Sequence, residues 1–144
     1  MTTATLDVFE KSIEKTHHWL QEIMTQLDWT DRHKAYVALR STLHTLRDRL
    51  SVDEAAQVSA QLPMLIRGLF FEGWKPSNKP TRIRHKDEFI QAVEHDARMD
   101  FNTDPEQVVR AVFSVLVHHV TSGEITDIKR ILPEEVRDLM PTAD

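Results

Sequence analysis

Glu14-x-x-His17 places a carboxylate and an imidazole at the i, i+3 spacing used by carboxylate-bridged di-metal helical bundles, and His18 stands within a turn of Glu14 and Glu22. Such a centre needs a second Glu-x-x-His and two further glutamates, and the sequence repeats the motif nowhere. Glu14, His17 and His18 are thus the secondary metal reading; the primary expectation is no metal and no cofactor. His118 and His119 fall in a predicted main helix of the second half and read as surface or hydrogen-bonded histidines. The carboxylate pairs Asp53/Glu54 and Glu134/Glu135 fall in first helical turns, where acids offset the positive helix end. The chain has no cysteine, which excludes disulfides, thiolate metal sites and cysteine nucleophiles. Its three glycines are too scattered for a phosphate-cradling loop, and Gly-x-Ser-x-Gly is absent. The expectation is a protein that is not an enzyme.

Two other groups of residues could bind rather than react. Arg67 and Arg137 each sit four residues beyond a Leu-Pro pair, and read either as helix-end ligands or as two sides of an anion site. Phe71 and Trp74 precede a basic stretch in which Lys75, Lys79, Arg82, Arg84 and Lys86 occur with no acid between residues 75 and 86. Outside that stretch 13 basic residues face 23 acidic ones, within a net charge of −5. Phe71, Trp74, Lys75, Lys79, Arg82 and Arg84 are the candidate partner-binding residues, because aromatics beside cations can anchor a protein or stack on a nucleic acid. The overall acidity argues against nucleic acid as the main partner.

The elements that must carry these residues are helices. Period-2 alternation is absent, and the apolar positions Leu6, Phe9, Ile13, Leu20, Ile23 and Leu27 mark one long amphipathic helix, about 33 Å over ~22 residues. Asp28 or Thr30 is placed to cap a second helix with the stripe Tyr36, Leu39, Leu43, Leu46 and Leu50. Ser51-x-x-Glu54 reads as a capping box. Pro63 fits the first turn of a fourth helix, whose core face is Met64, Leu65, Ile66, Leu69 and Phe70 and whose terminator is Gly73. Prolines at 76 and 80 break the pattern across residues 74 to 84. Helices resume with Phe89, and Asp104-Pro105 opens one lined by Val108, Val109, Val112, Phe113, Leu116 and Val120.

An offset of 70 aligns residues 35–70 with 105–140 without a gap and gives seven identities: Arg40/Arg110, Leu46/Leu116, Glu54/Glu124, Leu62/Leu132, Pro63/Pro133, Arg67/Arg137 and Leu69/Leu139. Unrelated chains of average composition would give on the order of two. Ser51 falls on Thr121, so the capping box is expected to recur as Thr121-x-x-Glu124. The expected fold is all-α: about eight helices as two tandem four-helix pseudo-repeats in one bundle-like domain, 1–144. The repeats run about 6–73 and 85–141, joined by the Pro/basic linker 74–84. Residues 1 to 6 lack the pattern of a secretory signal, and no stretch approaches the ~20 apolar residues of a membrane span, so a cytoplasmic location without membrane contact is expected.

The blocks Gln61-Leu-Pro-Met-Leu-Ile-Arg-Gly-Leu-Phe-Phe-Glu-Gly-Trp-Lys-Pro76, His85-Lys-Asp-Glu-Phe89, Ala111-Val-Phe-Ser-Val-Leu116 and Ser122-Gly-Glu124 resemble the bacterial domain of unknown function 2267 family. The resemblance spans nearly the whole chain. It implies a bacterial, largely helical, intracellular protein and carries over no activity or catalytic residue. The functional expectation is a non-enzymatic protein-interaction module, self-associating or with another protein as partner. The alternatives are a small-molecule or metal-ion site between the repeats, and weak nucleic-acid binding through the basic linker.

Overall fold

The computed structural model describes residues 6–142. What the sequence suggests for residues 1 to 5, and for the last two positions of the 1–144 assignment, lies outside them. Eight helices and no strand occur among the described residues, so the fold is all-α. Helix α1, Asp7–Leu27, ends where Asp28 turns left-handed at φ 55° and the N–H groups of Asp28 and Trp29 bond back to the α1 carbonyls of Thr25 and Met24. Asp28 thus terminates α1 rather than capping the next helix. That cap is Asp31, whose side chain accepts from Lys34 N at 3.2 Å, so neither residue expected from the sequence fills the position.

Helix α2, Arg32–Asp48, is the hub. Ala35, Val37, Ala38, Leu39, Thr42, Leu43, Thr45 and Leu46 are all buried, so the helix is enclosed on most of its circumference. It packs against α1, α4 (Met64–Phe71), α5 (Lys86–Ala97) and α6 (Pro105–His119). Buried side chains from both halves, among them Trp19, Leu39, Phe70, Phe89 and Phe113, form one hydrophobic cluster. The Phe89 and Phe113 rings lie 5.6 Å apart.

Helix α3, Val52–Ser59, and α7, Ser122–Ile131, begin 70 residues apart, as do α4 and the short α8, Glu134–Arg137. These starts are compatible with a duplicated unit. Ser51 and Glu54 form the full capping box, at 3.2 and 2.8 Å. In the second half only the Thr121 hydroxyl–Glu124 N half is made. The Thr121 N–H instead donates to Gln61 Oε1 at 2.9 Å, and a residue from the first half replaces the glutamate. Pro63 and Pro133 stand at the N-cap, one position before the first turn.

The sequence stripe of α1 is buried only in its second half. Trp19, Leu20, Ile23 and Met24 are in the core, whereas Leu6, Phe9 and Ile13 are exposed, because in the first turns of α1 it is Ser12, bonded to Leu65 N of α4, that faces inward. Met64 and Leu65 of α4, expected in the core, are also exposed, while Ile66 and Phe70 are buried.

The end of α2 fixes the path of the chain between the halves. Arg47, 4% exposed, donates from Nη1 to the Phe70 carbonyl at 2.9 Å and to the Glu72 carbonyl at 2.8 Å, and from Nε to Asp48 Oδ1 at 2.9 Å. The Asp48 carbonyl accepts from Thr81 N at 2.8 Å, and Arg49 Nε donates to the Ile83 carbonyl at 2.7 Å. Gly73 is left-handed at φ 71°, as its position past α4 suggests. One turn earlier on α2, His44 Nε2 faces the Leu69 carbonyl at 2.8 Å, and Nδ1 lies 3.8 Å from Asp96 Oδ2.

Two outcomes follow. Arg47→Met keeps bulk but strands two carbonyls that depend on a buried cation, so it should lower unfolding free energy by about 2–4 kcal/mol in urea titrations. At His44, burial draws the pKa below the ordinary histidine value, although the Leu69 carbonyl and the nearby acids oppose the shift. The unfolded chain then holds the His44 proton more tightly, so stability is full above the unfolded pKa of about 6.5 and is lost as pH falls towards the folded pKa. Urea titrations at about pH 7.5 and 5.5 should show a larger acid-side loss for the native chain than for His44→Gln.

Candidate functional site

Trp19 is buried at the junction of α1 and α6, and Glu22 follows it by one helical turn, half-buried at the rim. Helix α6 ends in His118 and His119, in the last turn, where its carbonyl ends favour positive charge. Both imidazoles converge on the one carboxylate. His118 Nδ1 lies 2.6 Å from Glu22 Oε1, and His119 Nε2 hydrogen-bonds Glu22 Oε2. The His119 ring stacks on Trp19, with centroids 4.7 Å apart and planes 15° apart, and the His118 ring centre is 4.8 Å from that of His119. Burial raises the Glu22 pKa, but the hydrogen bonds and charges of His119 and His118 outweigh it and hold the carboxyl below its ordinary value.

Sequence reasoning missed this grouping. It sought carboxylate and imidazole within one helix, whereas here they are 96 and 97 residues apart and meet only because α1 packs on α6. The residues it did single out, Glu14, His17 and His18, are all exposed on α1. Among the described residues, Glu22, His118 and His119 form the group of three or more potential metal ligands; Glu14, His17 and His18 do not.

A cleft of about 710 Å³ beside this cluster is lined by Lys15, His18, Trp19, Gln61, Arg67 and His119, among others. Arg67 uses its Nε on the Ser59 carbonyl at 3.0 Å and an Nη on the Leu62 carbonyl at 3.1 Å, holding the C-terminal end of α3. Arg137, on α8, does not line this cleft, so the two arginines are not brought to a shared anion site there.

Phe71 and Trp74 are half-buried against the core. Their ring centres are 5.0 Å apart, and Phe71 meets Phe70 edge-on at 5.2 Å. Of the cations that follow, Lys75, Arg82 and Arg84 are exposed and Lys79 is half-buried. The stretch lacks acids in sequence but meets them in space. Lys86 Nζ pairs with Glu106 at 3.1 Å, and His85 Nδ1 with Glu135 at 2.7 Å, an ion pair that raises the His85 pKa.

On the other side of α1 lies a groove of about 580 Å³, floored by Tyr36 and Leu69 and flanked by Phe9, Ile13, Met64 and Leu65. Those four flanking side chains are 45–49% exposed. Ser12 Oγ accepts from Leu65 N at 2.9 Å and locks α1 to the start of α4. Among the described residues that line the groove, Glu72 and the Tyr36 phenol are the ionisable groups.

No helix among the described residues is long and apolar enough to cross a membrane. A comparison with curated proteins gives no match. A family model described as Uncharacterized conserved protein (DUF2267) matches residues 16–139, which takes in the hub, the linker and the Glu22–His118–His119 cluster but not the first turns of α1, and the chain belongs to that family.

Proposed function

We propose that the chain is a non-enzymatic interaction module that pairs with a second copy of itself through the apolar face shared by α1 and α4. The observation that carries this reading is the clustering of exposed Phe9, Ile13, Met64 and Leu65 around one groove, continued along α1 by exposed Leu6 and Val8. Scattered surface apolar residues need no explanation, but a contiguous face of this kind marks a contact surface. Among the described residues the groove lining is mainly apolar, with Glu72 and Tyr36 its ionisable members, which supports binding over catalysis.

A second copy fits better than a strongly charged partner. Exposed Phe9 lines the groove, and exposed Leu6 and Val8 stand beside it in the chain, so a two-fold axis can set these side chains of each copy against the groove of the other. The rim carries both signs on α1, with Asp7 and Lys11 paired at 3.0 Å and Glu14 and Lys15 following. A two-fold operation can set opposite charges of such a rim against each other. The preferred partner surface therefore moves from the 70–86 segment to the α1–α4 face.

Light scattering during gel filtration should give a mass twice the 16.7 kDa of one chain. Phe9→Asp and Leu65→Glu should each return it to one chain with unchanged helical circular dichroism. A native chain that stays monomeric at the highest attainable concentration, or variants that dimerise like it, would overturn the reading.

A further inference from the structure

We propose that Glu22, His118 and His119 form a binding site for one divalent transition-metal ion of the zinc class, joining α1 to α6. The donors are two imidazole nitrogens and a carboxylate oxygen, and the ligating atoms all lie within 4.8 Å of one another. Two imidazoles and a carboxylate are the protein ligands of open zinc sites, in which the fourth position is left to water or an exogenous ligand. Nitrogen donors of this kind select zinc, cobalt, nickel or copper over magnesium and calcium, which take oxygen.

The geometry is within reach of coordination. At metal–ligand distances near 2.1 Å, donors on a tetrahedron stand about 3.4 Å apart. The His118–Glu22 separation of 2.6 Å is shorter than that and has to open by about an ångström, while any pair near the 4.8 Å limit has to close by a similar amount. The three groups have the freedom to do so, since the His118 side chain is 69% exposed and those of His119 and Glu22 are 30% exposed. His119 is already oriented by its stack on Trp19, and Glu22 sits on a helix packed into the core, so little ordering remains when metal binds. The neighbouring cleft, with Lys15, His18 and Arg67, makes water or a small anion the fitting fourth ligand.

The ligands come from both halves of the chain, so the ion acts as a cross-link between α1 and α6. This inference is independent of pairing between copies, because it is read per chain. Untagged protein, stripped with a chelator, should take up one zinc per chain in native mass spectrometry. Cobalt(II) should give the visible absorption of a four-coordinate ion, and magnesium in excess should not displace zinc. Free zinc at a hundred times its Kd should raise Tm by roughly 5–10 °C.

Glu22→Gln, which keeps shape and hydrogen bonding, and His118→Ala should each weaken zinc by about tenfold or more. The single variant His17→Ala, whose ring is exposed on α1 and does not line the cleft, should bind zinc as the native chain does. The site would be overturned by a native chain that takes up no zinc at micromolar free metal, by full affinity in Glu22→Gln, or by loss of binding in His17→Ala. Circular dichroism of each stripped variant separates lost ligands from lost folding, and Glu22→Gln decides the matter should His118→Ala fail to fold.

Discussion

The Arg47 guanidinium is buried at the end of α2, and its contacts determine how the rest of the chain is laid out. It holds the Phe70 and Glu72 carbonyls, and so fixes where α4 stops and which way the chain leaves. Residues 48 and 49 then take up the linker through Thr81 and Ile83, so the last two residues of α2 and its C-cap steer the crossing between halves. A buried cation is costly to desolvate unless its donors find acceptors, and here two backbone carbonyls and Asp48 take three of the five N–H groups. The linker is therefore bound at Thr81 and Ile83 rather than a free tether. That is also why its cations are distributed over the surface, while Phe71 and Trp74 turn inward.

With the crossing fixed, α2 is shared by both halves and α1 lies along α6. Two surfaces result from that arrangement, and they differ in chemistry. In the first turns of α1 Ser12 faces α4, and the apolar Phe9 and Ile13 stay exposed beside it. Where α1 and α6 stay in contact, Glu22 meets the two terminal histidines of α6. The first surface suits association, while the second suits a small positively charged guest. Both depend on the length and placement of α1 rather than on a loop.

Much of the architecture was legible because it is written locally. Ser51 and Glu54, Asp104 and Pro105, and Gly73 announce helix ends through rules that span three or four residues, and the α2 and α6 stripes announce the core faces. Errors arose where a long-range partner decides. Thr121 completes its cap with Gln61 instead of Glu124, and nothing within one turn of Thr121 signals that. Leu6, Phe9, Ile13, Met64 and Leu65 carry the periodicity of core residues, yet burial depends on whether a neighbouring helix extends that far. The candidate site was the least legible part. Helical periodicity gives the face on which Glu22 lies, but only the packing of α1 on α6 places that face against His118 and His119. Arg67 was found by its alignment with Arg137 at the offset of 70, and its bonds to the Ser59 and Leu62 carbonyls make it a helix-end ligand.

If the end of α2 ties the halves together, they should lose structure together. Trp74 lies in the linker, and Trp19 and Trp29 lie where the first half meets the second, on His119 and on Phe101, so tryptophan fluorescence follows the first half and its contacts with the second, whereas far-ultraviolet circular dichroism follows the helices of both. The most direct measurement is equilibrium urea unfolding recorded by both signals on one sample. The account predicts superimposable transitions with a single midpoint. A second dichroism transition at urea concentrations where the fluorescence is flat would contradict it.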